Sequence, residues 1–146
     1  MKKIKLIIVT IFVLSLSNFA KADLNDSLKK YLDGKDIEIG STQIFLLKRC
    51  SAIYAYASGI VLKADAVSSK NFIEISNNLL FKSVELMVID ENKKLEDAQE
   101  EAEKNREELF SNYITDGKIN WEKNKSHFKG SYISKDMAIC SKLIEE

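Results

Sequence analysis

Cys50 and Cys140 are the residues whose type and spacing point most directly to chemistry. They are the only cysteines, no C-x-x-C pair exists, and each falls in the apolar stripe of its own segment. Apolar surroundings disfavour the reactive thiolate, which weakens the reading as a redox or metal-binding pair. In an oxidising compartment two such exported cysteines are expected to form one structural disulfide. The bond would close 140 − 50 = 90 residue steps, for which chain entropy gives about 4–5 kcal/mol of stabilisation.

His127 is the only histidine, so no His-x-x-x-His metal pair can be built within one chain. Any Ser-His-Asp set would have to use it, yet no G-x-S-x-G elbow surrounds a serine. Lying among Lys123, Lys125 and Lys129, it reads as a solvated surface residue. Residues 112–123 faintly echo a calcium loop: Asn112 and Asp116 suit the first and fifth ligand positions, and Gly117 suits the sharp turn. However, Ile114 replaces a ligand and Lys123 stands where a bidentate Glu is needed, so a helix ending at Asp116-Gly117 explains the same letters better.

Glu96, Asp97, Glu100, Glu101, Glu103, Glu107 and Glu108 face only Lys104 and Arg106 within their run. Such a face could take a basic partner or cations, but spacings such as Glu100 to Lys104 support a solvated helix without any ligand. The modestly basic stretch 118–135 is expected to lie over it. Trp121, Tyr54, Tyr56, Tyr132 and Phe128 could line a pocket, with core packing as their ordinary role. There is no phosphate-binding glycine loop, dinucleotide fingerprint or zinc signature, so no cofactor, metal ligand or catalytic residue is assigned.

The elements that must position these residues read as helices throughout. Residues 23–32 suit a short amphipathic helix carrying Leu24, Leu28, Tyr31 and Leu32, ended by Asp33-Gly34, and residues 35–39 suit a loop. From Ser41 or Thr42 a long helix is expected to reach about Val67, with Leu46, Cys50, Ile53, Ala57, Ile60, Ala64 and Val67 on one stripe. Beside that stripe, Ser51, Ala55, Ser58 and Gly59 form a row of little bulk, suited to close helix approach or, less simply, to a ligand groove. Ser68-Ser69 offers the next N-cap, before a segment from Phe72 to Ile89 that is apolar on more than one face and reads as the central, most buried helix. Asp90 to Asn92 either bends the chain or is passed through. A further helix is expected over 93–113, and a last one after Gly130-Ser131 with Ile133, Met137, Cys140 and Ile144 in four-three-four spacing.

Ahead of these lies a leader. Lys2, Lys3 and Lys5 precede the apolar run Leu6 to Leu16, and Ala20-Lys21-Ala22 supplies a small-x-small site, so cleavage is expected between Ala22 and Asp23. The apolar run is shorter than the ~20 residues a spanning helix needs, and no cysteine follows it for lipidation. Cleavage removes Lys2, Lys3, Lys5 and Lys21, so the balance of 22 bases and 22 acids becomes 18 against 22. That mildly acidic balance argues against a nucleic-acid partner. The remaining 146 − 22 = 124 residues suit one domain.

The expected protein is therefore an exported, periplasmic all-α domain over 23–146: an irregular four-helix bundle with a short extra N-terminal helix, tied by Cys50 and Cys140. Without a catalytic constellation or a stable membrane span after cleavage, the leading expectation is a non-enzymatic binder of another protein or an apolar small ligand. An envelope-associated assembly protein is the alternative. A small periplasmic enzyme comes last, because His127, Trp121 and several carboxylates would have to converge in one pocket.

Overall fold

The computed structural model describes residues 27–145, so the leader and the expected cleavage point Ala22/Asp23 lie outside the described residues. Within them the chain forms α1 (Leu28–Leu32), α2 (Gly40–Val61), α3 (Ala66–Asp90), α4 (Leu95–Asn124) and α5 (Tyr132–Glu145), with no strand. Leu24 and the other residues expected ahead of Ser27 lie outside the described residues, and α1 begins at Leu28. Ser27 caps it, its side chain accepting from the backbone of Lys30 at 3.3 Å.

α2 ends at Val61 and does not reach Val67, which is exposed at the start of α3. Asp65 explains the break: its Oδ1 accepts from the backbone N–H groups of Val67 and Ser68, so Asp65 caps α3 in place of the Ser68-Ser69 pair. α3 is also not the most buried helix. Phe81 and Ile89 are left exposed on it, whereas α2 is covered along most of its length. α2 has the length and composition of a membrane span, and most of its apolar window is buried by its neighbours in the bundle.

The reason α2 takes the centre is the small row on its flank. Ser51 Oγ donates to the carbonyl of Ser76 at 2.7 Å, Ser76 Oγ returns a bond to the carbonyl of Ser51 at 2.7 Å, and Ser58 Oγ donates to the carbonyl of Ser69 at 2.9 Å. The pairs 51/76 and 58/69 each sum to 127, the signature of two antiparallel helices in register. Small side chains at Ser69, Ser76 and Ser83, each spaced by seven, let the two backbones come close; the hydroxyls of the pairs 51/76 and 58/69 satisfy one another, and Ser83 Oγ donates to the carbonyl of Leu80 in its own helix.

α4 packs its first turns on α3, with Ala98 and Ala102 against Leu80, Val84 and Met87. Its later turns bury Leu109 and Tyr113 in the main core with Cys50, Ile53 and Tyr56 of α2. It does not stop at Gly117. Gly117 is buried within α4, and the helix runs on to Asn124, where Lys125 adopts a left-handed conformation at φ 54° and closes it. The basic residues from Lys118 to Asn124 therefore continue the acidic helix and cannot fold over it. α5 then returns across α2 and α1, burying Ile133 and Cys140 as expected, while Leu143 replaces the exposed Ile144 at the inward position.

Candidate functional site

Cys50 and Cys140 form a disulfide with their Cα atoms 5.4 Å apart, both fully buried. One turn before Cys140, Asp136 is fully buried, and so is Arg49, next to Cys50. Asp136 Oδ2 accepts from Arg49 Nε at 2.9 Å, from Arg49 Nη2 at 2.7 Å and from the Tyr113 hydroxyl at 2.8 Å, while Oδ1 accepts from the backbone of Leu28 at 2.6 Å. One carboxylate thus joins α1, α2, α4 and α5. Burial opposes the Arg49 charge, but Tyr113 and Asp136 outweigh it and hold the guanidinium above its ordinary pKa. Burial likewise pushes the Tyr113 hydroxyl well above its usual range, against the opposing pull of Arg49. Nothing in the local sequence marks Asp136, because an Asp between Lys135 and Met137 looks like any helix-surface acid.

The second constellation is aromatic and open to solvent. Tyr56, Phe110, Ile114, Trp121 and His127, with Gly59, Ile60 and Lys118, line a cleft of about 310 Å³ between α2, α4 and the loop after α4. His127 is not a plain solvated residue. Its Nδ1 lies 3.0 Å from the Tyr56 hydroxyl, and its ring stacks on Trp121 at 4.9 Å between centroids. Burial raises the Tyr56 hydroxyl to about 12, so Tyr56 keeps a proton to share in that bond.

Asn120 holds the loop that carries His127. Its Nδ2 donates to the carbonyls of Ser126 at 2.7 Å and Lys129 at 3.0 Å, and its Oδ1 accepts from Asn124 at 2.6 Å. Ser126 Oγ accepts from the backbone of Lys129 at 2.9 Å, which tightens the turn further. Phe128 is carried by the same loop and packs on Tyr56 at 5.6 Å between centroids.

Other residues marked in the sequence go elsewhere. Tyr54 packs on Phe72, and Tyr132 stacks on Tyr113 while donating to Asp116 Oδ2 at 2.6 Å. Asn112, Asp116 and Gly117 sit on continuous helix, so no calcium loop exists there. Glu101 alone of the acidic run turns inward, accepting from Lys93 Nζ at 2.6 Å and lying 3.7 Å from Lys48 Nζ. Burial lowers the Lys48 pKa despite that partner. Among the described residues no group of three or more His, Cys, Asp or Glu could hold a metal ion. His127 and Trp121 do meet, but no carboxylate lines their cleft.

The small row of α2 is divided between the α3 seam and two hollows. Ser51 and Ser58 serve the α3 seam, whereas Gly59 lines the aromatic cleft and Ala55 lines a neighbouring hollow of about 460 Å³ with Ile73, Asn77, Glu103, Arg106, Glu107 and Phe110. Phe110 is common to both hollows. Comparison of the chain with protein-family models, with curated protein sequences and with solved structures gave no match.

Proposed function

We propose that this chain is a small exported, non-enzymatic helical protein that binds an apolar small ligand in the cleft between α2 and α4. The carrying observation is the lining: Phe110, Ile114, Trp121 and Ile60 present apolar surface over Gly59, where a β-carbon would meet nothing within 4 Å. Ile114 and Trp121 keep nearly half of their surface exposed, an arrangement that leaves apolar area for a ligand to cover. The volume lies at the small end of small-molecule sites, and Phe110 is shared with the neighbouring hollow. Export is supported by the Lys-rich, apolar and Ala-x-Ala leader and is compatible with a buried disulfide.

Trp121 is the only tryptophan, so its fluorescence reports on this cleft without labelling. Titration of the purified protein with a long-chain alcohol is expected to shift its emission to the blue in a saturable manner. Gly59→Leu, which places a side chain into the cleft on a residue with high helix propensity, is expected to abolish that shift while the helical circular dichroism is retained. An emission spectrum unmoved across the titration would rule the reading out.

A further inference from the structure

Building on the cleft as a ligand site, we infer that its ligand is a single-chain amphiphile with an anionic head, seated with the head at Lys118 and the chain running past Phe110 toward Ala55 and Ile73. Lys118 is the one charged side chain lining the aromatic cleft. Among the described residues it makes no ion pair, even though Glu122 follows it by one turn on the same helix. His127 lines the same cleft with Nδ1 engaged by Tyr56, and its Nε2 makes no hydrogen bond among the described residues. An uncommitted ammonium and an imidazole edge therefore share one apolar cleft, a pairing that a carboxylate or sulfate head would satisfy.

The other end carries the opposite signature. Glu103 and Glu107 border the hollow over Ala55 and Ile73. The cation between them, Arg106, already donates to Asn77 Oδ1 at 3.1 Å. An anionic head placed there would meet two carboxylates, so the hollow suits the chain and Lys118 suits the head. From Glu107 to Lys118 is eleven helical steps, roughly 16 Å along α4 at ~1.5 Å per residue, with Phe110 and Ile114 between them. That span matches an extended alkyl chain of medium length.

The experiment follows Trp121 emission in the purified protein against dodecanoate, dodecanol and dodecyltrimethylammonium, each below its micelle concentration, and repeats it in Lys118→Gln and Arg106→Gln. Dodecanoate is expected to bind more tightly than the cation, although the surplus of acids over bases in the chain after cleavage favours the cation overall. Lys118→Gln should weaken dodecanoate by about threefold to fivefold, the upper range for an exposed ion pair, and leave dodecanol unchanged, while any effect of Arg106→Gln, which borders the hollow that takes the chain, should fall equally on dodecanoate and dodecanol. Equal affinity for anion and cation, or a loss that follows Arg106 instead of Lys118, overturns the anionic head and its orientation but leaves the cleft as a binding site. Failure of all three probes to move Trp121 overturns both this inference and the reading beneath it.

Discussion

Tyr56 lays its phenol across Gly117, so close that a β-carbon at position 117 would overlap the Tyr56 hydroxyl and crowd its ring. The glycine that looks like a helix terminator is instead the opening in α4 through which an aromatic of α2 reaches His127. Gly117→Ala accordingly sets two effects against each other. Helix propensity favours alanine by up to about 1 kcal/mol, whereas overpacking a buried site costs about 1–3 kcal/mol, and Tyr56, itself almost wholly buried, gives way only by disturbing its neighbours. Net destabilisation of about 1–2 kcal/mol is expected in urea melts, together with altered Trp121 emission as the Tyr56–His127 contact moves. With Tyr56→Phe added, the combined loss should be smaller than the sum of the two single losses; strict additivity would show that the two residues do not compete for the same space.

The Cys50–Cys140 bond joins α2 to α5 across ninety positions. Cys140→Ser is expected to cost about 3–5 kcal/mol under oxidising conditions, mainly through the larger freedom of the unfolded chain. Thermal melts of the oxidised wild type and the variant check this. Coincident melting temperatures would contradict it.

Asp136→Asn takes the buried carboxylate away from the Arg49 guanidinium and removes a charged acceptor from Tyr113 and from the backbone of Leu28. Breaking a buried pair from one side costs about 3–5 kcal/mol, so the loss should rival that of the disulfide. Hydrogen exchange should also show α1 opening more readily than in the Cys140→Ser variant, because Leu28 N–H is held by Asp136 directly. Equal protection of α1 in the two variants would mean that the carboxylate does not anchor it.

Alkaline pH should loosen the protein through its tyrosines. Burial raises the folded-state pKa of Tyr56 from 10.0 to about 12, and those of Tyr113 and Tyr132 move the same way. The protonated phenols are thus the stabilised forms. Their contribution is complete below pH about 10 and is lost, for Tyr56, as pH rises through about 12. Tyrosinate absorbance measured alongside circular dichroism should show Tyr56→Phe with a shallower decline over that interval. Identical declines would remove Tyr56 from the account.

The helical class, the apolar stripe of α2 from Leu46 to Ala57 and the facing cysteines were legible in the chain, because periodicity and propensity are properties of neighbouring residues. The placement of the cleft was not. Whether Gly117 ends a helix or opens one depends on Tyr56, sixty-one positions earlier, and nothing local to Asp116-Gly117 distinguishes the two outcomes. Likewise, Ser68 and Asp65 are both competent caps, and the choice of Asp65 shortened α2. Nothing local marks Asp136 or Arg49 for burial, since a buried charge is tolerated only where a partner from another helix cancels it. His127 lay among lysines in sequence but against Tyr56 and Trp121 in space, held there by Asn120. Helix content and the cysteine pair thus followed from the sequence by itself. The tertiary structure decided which faces are buried, which small residues seal a seam and which open a cleft, because these depend on distances between segments far apart in the chain.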